Sequence, residues 1–386
     1  MDRYILRNLK RVSGETIDIV IEQGTIADIL TAGRSKDQAV NDQADAEESN
    51  QLIDTKTIDY EGEVYVSSGW IDMHVHAFAE FSPYGDEIDE IGVRQGVTTI
   101  VDAGSCGADR IGDLIAHGER SLTRLFAFLN ISRIGLLRID ELSQLEWIDK
   151  GAIIQAYSDH RDSIVGLKAR ISSSVVGARG LEPLCLARKL SDETGLPLMV
   201  HIGSGPPSIE DILPLMASKD MITHYLNGKK NNLFQDGRPI PALLEALEQG
   251  VKLDVGHGTA SFSFKVAGDA KRHGIGLHTI SSDIYRGNRL NGPVYSLANV
   301  LSKFLYLGYA LEEVISAVTS SAADWLGKPE LGRISIGDPA NLTLFKMMQK
   351  SVSLVDSEGE TRQASFIIEP KGVVMNGTFI ECEARP

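Results

Sequence analysis

The chain has 386 residues, of which 42% are hydrophobic, and its formal net charge is -15. This length allows one large domain with a smaller one beside it. The acidic balance argues against nucleic-acid binding, which needs a basic face, and no apolar run approaches the roughly 18 residues of a membrane span. Three widely spaced cysteines predict no disulfide framework, and the N-terminus lacks a signal-peptide core. We therefore expect a cytoplasmic protein without nucleic-acid or membrane partners.

The N-terminal part of the chain is predicted to form short strands separated by glycine turns. Apolar, β-favouring runs lie at 4–6, 16–21 and 25–30, and a fourth lies at 57–60. The segment 34–51 is polar and acidic, so burial could not offset the entropy of ordering it. We predict an exposed, mobile loop there.

The middle of the chain alternates strand-like and helix-like stretches. A strand running into His74 is followed by seven further apolar runs, and helical periodicity is clear at 181–190 and 241–247. Eight β-α units over roughly 250 residues are what a TIM barrel requires. A doubly wound open sheet is the structural alternative, but it leaves the polar residues at so many strand ends unexplained. The seven runs are 97–102, 125–130, 165–171, 198–202, 221–225, 251–255 and 277–283.

The last part of the chain returns to short strands and turns. Strand-like runs at 341–345, 365–368 and 373–375 precede Asn376-Gly377, which is a strong hairpin signal. The simplest interpretation joins both chain ends into one small β-sandwich beside the barrel. The predicted domains are a (β/α)8 TIM barrel at 67–332 and a β-sandwich built from 1–66 and 333–386.

Polar residues lie at or near the C-terminal ends of several predicted barrel strands, where barrel enzymes place their sites. His74 and His76 share one face of their strand, because strand side chains alternate sides. Each such residue alone has a structural explanation, such as a hydrogen-bonded core histidine or a turn-capping aspartate. Together, converging imidazoles and a carboxylate suit zinc or a similar divalent ion. The other residues of this set are Lys168, His201, His224 and Asp283.

Lys168 is unusual for a residue on a barrel strand. Lys168 and Arg170 share one face of their strand, and barrel strands are covered on both sides, so two inward cations need a reason. An unpaired buried lysine loses its proton. A neutral amine near metal ions can react with carbon dioxide to give a carbamate, an anionic ligand able to bridge two metals. The structural alternative is an ion pair between Lys168 and a neighbouring acid.

These motifs resemble those of the amidohydrolase superfamily, and the resemblance runs from about residue 4 to 380. The superfamily's Gly-x-x-Asp-x-His-x-His strand end is found at 69–76, and the segment 337–342 is similar to its signature after the barrel, with Asn341 in place of the usual aspartate. Within the superfamily the chain is similar to the dihydroorotase-like amidohydrolase/deacetylase branch. The supporting segments are 199–203, 223–224, 256–258 with 261–262, and 292–295.

The resemblance implies a binuclear centre of two divalent ions, which we expect to be zinc. A hydroxide shared by the ions would be the nucleophile, and one metal would polarise the substrate carbonyl. Asp283 would take the proton and deliver it to the leaving group. The implied ligands are His74, His76 and Asp283 for one ion and His201 and His224 for the other, with carboxylated Lys168 as the bridge.

Substrate-binding residues are predicted from their places near the barrel mouth. Arg170 can bind a substrate carboxylate in a two-pronged fashion, with pairing to an acid as its structural alternative. Tyr285 and Arg286 lie on a rim loop after the eighth strand, with Arg286 as a candidate anion clamp. His257 ends the seventh strand and would hydrogen-bond substrate or, in a supporting role, a metal ligand. Cys106 lies near the mouth but receives no catalytic role, because an activated hydroxide makes a cysteine nucleophile unnecessary.

We predict a zinc-dependent hydrolase that cleaves an amide, or a related ester, of a small, anionic, acylated metabolite. The alternatives are a ring-opening cyclic amidase of the dihydroorotase type, a deaminase of the same superfamily, and a catalytically silent scaffold. Lys168 argues against single-metal deaminases but not against binuclear ones, and the retained ligand positions argue against a scaffold. A homo-oligomer is the default assembly for such an enzyme.

Overall fold

Two sheets organise the protein, which we describe from a computed structural model over residues 3–31 and 55–383. A parallel sheet of seven strands forms a nearly closed barrel, and a separate sheet of eight strands is built from both chain ends. The predicted fold class is therefore confirmed. The loop predicted at 34–51 lies outside the described residues.

The regular elements are numbered in chain order. The strands are β1 (Arg3–Arg11), β2 (Thr16–Glu22), β3 (Thr25–Thr31), β4 (Thr55–Asp59), β5 (Tyr65–Ser68), β6 (Trp70–Val75), β7 (Val97–Ala103), β8 (Arg124–Asn130), β9 (Ile164–Ile171), β10 (Leu198–Ile202), β11 (Met221–Thr223), β12 (Phe234–Gln235), β13 (Arg238–Pro239), β14 (Lys252–Asp254), β15 (Asn341–Val355), β16 (Thr361–Met375) and β17 (Thr378–Glu381). The α-helices are α1 (Ile88–Ile91), α2 (Ile111–Glu119), α3 (Lys150–Asp159), α4 (Ser173–Val176), α5 (Glu182–Thr194), α6 (Ile209–Ile212), α7 (Pro241–Glu248), α8 (Phe264–Arg272), α9 (Arg286–Asn291), α10 (Leu297–Tyr306), α11 (Leu311–Ser316) and α12 (Ser320–Leu326). In the described part of the chain, none of the helices has the length and apolar character needed to cross a membrane.

The barrel strands lie side by side in chain order, from β6 through β7, β8, β9, β10 and β11 to β14. Each neighbouring pair is parallel, so the carboxyl ends of all these strands meet at one face of the barrel. The helices predicted at 181–190 and 241–247 are present as α5 and α7. In α5 the buried Leu184, Ala187 and Leu190 recur at helical spacing, and Gly195 ends the helix in the left-handed conformation.

The eighth predicted barrel strand, 277–283, is the one that does not form a regular strand. Its place between β14 and β6 is taken by a segment that is joined to each of them by an isolated bridge. Side chains replace part of the ladder, because the Asp72 carboxylate accepts hydrogen bonds from the Ser282 amide at 3.0 Å and from the Ser282 hydroxyl. Asp283 has a positive φ of 51°, which ends any extended conformation there.

The chain-end sheet has the order β17-β16-β15-β5-β1-β2-β3, with β4 also paired to β1. Residues from both chain ends form one apolar core in this sheet, in which Leu6 and Ile19 pack with Leu342 and Val374. Strands β15 and β16 have 15 residues each, so the runs predicted at 365–368 and 373–375 are parts of one long strand. We propose that 1–66 with 333–386, and 67–332, are the two domains.

Candidate active site

A cleft of about 790 Å³ opens at the carboxyl ends of the barrel strands. All six residues predicted as metal ligands line the cleft, and so do Arg170 and Tyr285. Barrel closure therefore brings together side chains that are more than 200 residues apart in the sequence, from His74 to Asp283.

Donor atoms in the cleft are spaced as ligands of a shared metal ion would be. Oδ1 of Asp283 lies 3.5 Å from Nε2 of His74 and 3.2 Å from Nε2 of His76. Nζ of Lys168 lies 3.4 Å from the same His74 nitrogen. Two ligands about 2.1 Å from a tetrahedral ion are about 3.4 Å apart. Donor atoms of His74, His224 and Asp283 also lie within 4.8 Å of one another.

The imidazoles are held so that one ring nitrogen of each can face the cleft. Nδ1 of His224 donates to the Gly256 carbonyl at 2.6 Å, and Nδ1 of His76 lies 2.8 Å from the Ser105 hydroxyl. The rings of His201 and His224 are close, with centroids 4.4 Å apart. Burial lowers the pKa of both His201 and His224 well below the ordinary histidine value. Neutral imidazoles with free lone pairs are the form that binds metal.

A chain of buried hydrogen bonds fixes the tautomer of His74. The Thr223 hydroxyl donates to Asp254 at 2.8 Å, so it accepts from Nδ1 of His74, also at 2.8 Å. The Asp254 carboxylate is held in turn by the hydroxyls of Thr279 and Ser281, each at 2.7 Å. This arrangement leaves Nε2 of His74 unprotonated and directed at the cleft, as metal-binding histidines require.

We expect Asp254→Asn to weaken metal binding by about 10- to 100-fold, because an amide cannot accept all of these hydrogen bonds and the tautomer of His74 is then less well fixed. Competition with a chelator of known affinity measures the change. Asp192→Asn on the exposed side of α5 is the control. Equal metal affinity of the two variants would show that Asp254 does not support the site.

Lys168 is fully buried at the base of the cleft, with a relative accessibility of 1%. Its Nζ contacts His74 and, at 3.2 Å, the sulfur of Met199. Among the residues that the structure describes, no carboxylate lies within ion-pair distance of it, so the alternative of a simple ion pair is not observed. Burial lowers the pKa of Lys168 to about 7, which favours the neutral amine that carbamate formation needs.

Of the predicted substrate-binding residues, Arg170 and Tyr285 face the cleft. Arg170 is also paired with the buried Glu141, whose two oxygens lie 3.1 and 3.2 Å from one guanidinium nitrogen. Pairing with an acid, the structural alternative for Arg170, is therefore observed. Burial raises the pKa of Glu141 above the ordinary value. The Tyr285 hydroxyl lies 2.8 Å from the hydroxyl of Thr259 on the cleft rim.

Arg286 and His257 do not line the cleft. Arg286 is half exposed and lies 3.6 Å from carboxylate oxygens of Asp86 and Glu87, so its charge is shared with these two acids. His257 is buried within the loop after β14, with its Nε2 2.8 Å from Nζ of Lys303. An anion clamp by Arg286 and a direct substrate contact by His257 therefore receive no support.

Several residues of the site were not identified from the sequence. Asp254 lies inside an apolar strand. A charged residue at such a position indicates a buried, hydrogen-bonded side chain, and this signal could have identified it. Lys229 lines the cleft from the polar segment that follows His224. Glu141 lies in a long connection without periodicity, so no sequence signal pointed to it.

Fold and site together define a class: barrel enzymes that use a metal centre for hydrolysis. A family profile described as "Deacetylase-like composite domain" matches residues 334–379. A deacetylase of Enterococcus faecalis is 38% identical over 382 residues, which are 98% of each chain. A crystal structure described as an adenine deaminase has a TM-score of 0.89 at 37% identity, covering 98% of this chain and 99% of that one. Another, described as a dihydroorotase, has a TM-score of 0.87 at 30% identity, with 99% and 98% covered.

The chain belongs to the amidohydrolase superfamily, among the relatives named deacetylases. It is a hydrolase that acts on carbon-nitrogen bonds of the amide type, and its relatives imply a divalent metal centre. The predicted superfamily and reaction class are confirmed.

Proposed function

We propose that the protein is a deacylase that hydrolyses the amide, or a related ester, of a small acylated carboxylic acid. The proposed cofactors are two zinc ions, which His74, His76, His201, His224, Asp283 and a carboxylated Lys168 would hold. The observation that carries this proposal is one cleft lined by all six of these side chains together with Lys229, which has no ion-pair partner among the described residues. Nitrogen and oxygen donors without sulfur suit zinc, although manganese accepts similar ligands.

When bound, the metal ions would supply Lewis-acid chemistry that lowers the pKa of water and polarises the substrate carbonyl. Asp283 is the residue that we propose for proton transfer. One of its oxygens faces the imidazoles, and the other lies beside Gly258 at the cleft. From this place the carboxylate can take a proton from the attacking water and deliver it to the leaving nitrogen.

Lys229 is the proposed anchor for the substrate carboxylate. Among the described residues, three basic side chains line the cleft, but Lys168 lies among the metal ligands and Arg170 is paired with Glu141. Within residues 3–31 and 55–383, the ammonium of Lys229 has no ion-pair partner. A methyl group built on Gly203 would lie 3.3 Å from Nζ of Lys229 and 3.4 Å from Nε2 of His201, so both groups face the same space. An ammonium group without an ion-pair partner among the described residues favours a substrate carboxylate.

A matched pair of substrates tests the proposed function. Metal-loaded protein should hydrolyse an N-acetyl amino acid faster than the corresponding N-acetyl amino amide. Lys229→Met should lower kcat/KM for the acid by about 30-fold, as expected for loss of a charge-assisted hydrogen bond, and should barely change it for the amide. Lys230→Met, which alters the neighbouring exposed lysine, is the control. Equal losses for acid and amide would exclude Lys229 as the anchor.

Deamination is a second candidate, because one similar structure is described as an adenine deaminase. The uncompensated charge of Lys229 disfavours a neutral purine. The same assay should therefore include adenine and cyclic ureides and imides beside the acetylated acids. Faster release of ammonia from adenine, or faster ring opening, would replace the deacylase proposal.

We expect Gly258→Ala to lower kcat/KM by at least about 30-fold. The added methyl group would meet Oδ2 of Asp283 at 2.2 Å, and the residue has a φ of +52°; strain of that kind costs about 1–2 kcal/mol. Gly276→Ala is the control, because a methyl group there meets no atom within 4 Å. Steady-state hydrolysis of an acetylated acid measures the effect. Full activity of Gly258→Ala would mean that Asp283 need not keep this position.

We also propose that the enzyme acts in the cytoplasm as a homo-oligomer. The three cysteines are free thiols, which suits a reducing compartment. Closed symmetric assemblies are common among soluble enzymes. Light scattering of the purified protein measures the assembly.

A further inference from the structure

The side chain of His257 is tied to the barrel wall rather than to the cleft. Its Nδ1 donates to the Gly258 carbonyl at 2.8 Å, so its Nε2 accepts from Nζ of Lys303, also at 2.8 Å. Lys303 is fully buried on α10 and donates to the Pro293 carbonyl at 2.8 Å as well. The ring of Phe262 stacks on His257 with centroids 4.6 Å apart. A buried lysine is costly unless it is hydrogen-bonded, so this cluster calls for an explanation.

The backbone that this cluster holds is in contact with the site. The carbonyl of Gly256 accepts the 2.6 Å hydrogen bond from His224, and the amide of Gly258 donates to the segment before Asp283 at 2.9 Å. A methyl group on Gly258 would overlap Asp283, as described above, so the backbone and that carboxylate are in close contact. A shift of the segment 256–258 would therefore move both His224 and Asp283.

The chain-end sheet reaches the same segment through the turn between β15 and β16. The Ser357 hydroxyl lies 3.0 Å from the Gly258 carbonyl and accepts from the Phe262 amide at 3.2 Å. The Ser357 amide donates to the Phe262 carbonyl at 2.9 Å. Next to it, the buried Asp356 accepts from the Phe264 amide at 3.0 Å. The unusual length of β15 and β16 is what brings this turn to the barrel.

We propose that Lys303 and Ser357 are positioning residues for hydrolysis, which act through His257 and Gly258 to orient His224 and Asp283. Both residues hold the Gly258 carbonyl, Lys303 through the His257 ring and Ser357 directly. The turn of the chain-end sheet is accordingly part of the catalytic apparatus, whereas the chemistry itself is left to residues in the cleft. This inference concerns geometry around two ligands and goes beyond the proposed substrate.

The test uses cobalt-substituted full-length protein, because the visible absorption of bound Co²⁺ reports ligand geometry without any substrate. Lys303→Met should shift this spectrum and lower kcat by about 30-fold, with KM within about twofold of wild type. Ser357→Ala should shift the spectrum in the same way and lower kcat by about fivefold. Ser357→Thr, which keeps the hydroxyl, should have the spectrum and the kcat of the wild type. The control is Lys271→Met, which removes a lysine that bonds to the Leu307 carbonyl at 2.9 Å and does not line the cleft.

A double variant separates positioning from stability. In His257→Phe with Lys303→Met, both polar partners become apolar, which should recover much of the Tm lost in Lys303→Met. Because the double variant also lacks the Nδ1 donor to the Gly258 carbonyl, kcat and the cobalt spectrum should stay altered. Recovery of kcat together with Tm would overturn the inference, as would an unchanged spectrum in Lys303→Met. If Lys303→Met does not fold, Ser357→Ala decides by the same readouts. Absence of deacylation by the wild type would contradict the proposed function, while the cobalt spectra would still decide this inference.

Discussion

Asp283→Asn is expected to lower kcat/KM for an acetylated acid by roughly 10²- to 10⁴-fold while the protein stays folded. The amide cannot take a proton at neutral pH, and general acid-base catalysis is worth about this much. Asparagine tolerates positive φ, so the left-handed conformation of this residue at 51° is kept. The backbone bond from residue 283 to the His74 carbonyl, at 2.7 Å, is also unaffected.

The control for this prediction is the exposed Asp192→Asn, which should leave both activity and Tm unchanged. Circular dichroism and Tm verify the fold, and metal analysis separates loss of proton transfer from loss of an ion. A variant at Asp283 that keeps more than about a tenth of wild-type turnover would remove this residue from the proton-transfer role.

Lys168→Ala is expected to lose metal and to lower kcat/KM by at least about 100-fold. Removal of a hydrogen-bonding partner of a ligand already costs about 10- to 100-fold, and a bridging ligand should cost no less. The substitution also empties space next to His74 and Met199. A short carboxylate such as acetate should partly restore metal content and turnover there, because it can supply the two oxygens of the missing carbamate.

Lys265→Ala, at an exposed lysine of α8, is the matched control and should show neither the loss nor the response to acetate. Metal content by mass spectrometry and steady-state rates with and without acetate are the measurements. If Lys168→Ala bound two ions and remained fully active, a bridging role for Lys168 would be excluded.

Most of the barrel could be predicted because its strands are apolar runs of suitable length between amphipathic helices. The segment before Asp283 was the exception, since hydrogen bonds that Ser282 and Ser281 donate to the carboxylates of Asp72 and Asp254 replace regular pairing there. Such long-range side-chain bonds leave no periodic signal in the sequence. The length of β15 and β16 was also missed, because the polar residues 349–351 of β15 and the residues 369–372 of β16 interrupt the apolar runs.

The side chains lining the cleft could be predicted where a strand fixes their direction. His74, Lys168 and Arg170 belong to that group, since alternation on a strand decides which face they occupy. Arg286 follows the last barrel segment, and there the chain direction depends on contacts with Asp86 that only the fold supplies. The hydrogen bond between His257 and Lys303 likewise joins segments that are far apart in the sequence. The position of His257 at the end of a strand therefore could not show which way its side chain is directed.

The central claim is that the six cleft residues hold metal ions that the hydrolysis requires. The most direct measurement is a titration of metal-free, folded protein with Zn²⁺, in which bound metal and hydrolysis of an N-acetyl amino acid are followed together. We predict negligible activity without metal and full activity when about two ions are bound per chain. Substantial hydrolysis by the folded, metal-free protein would contradict the account.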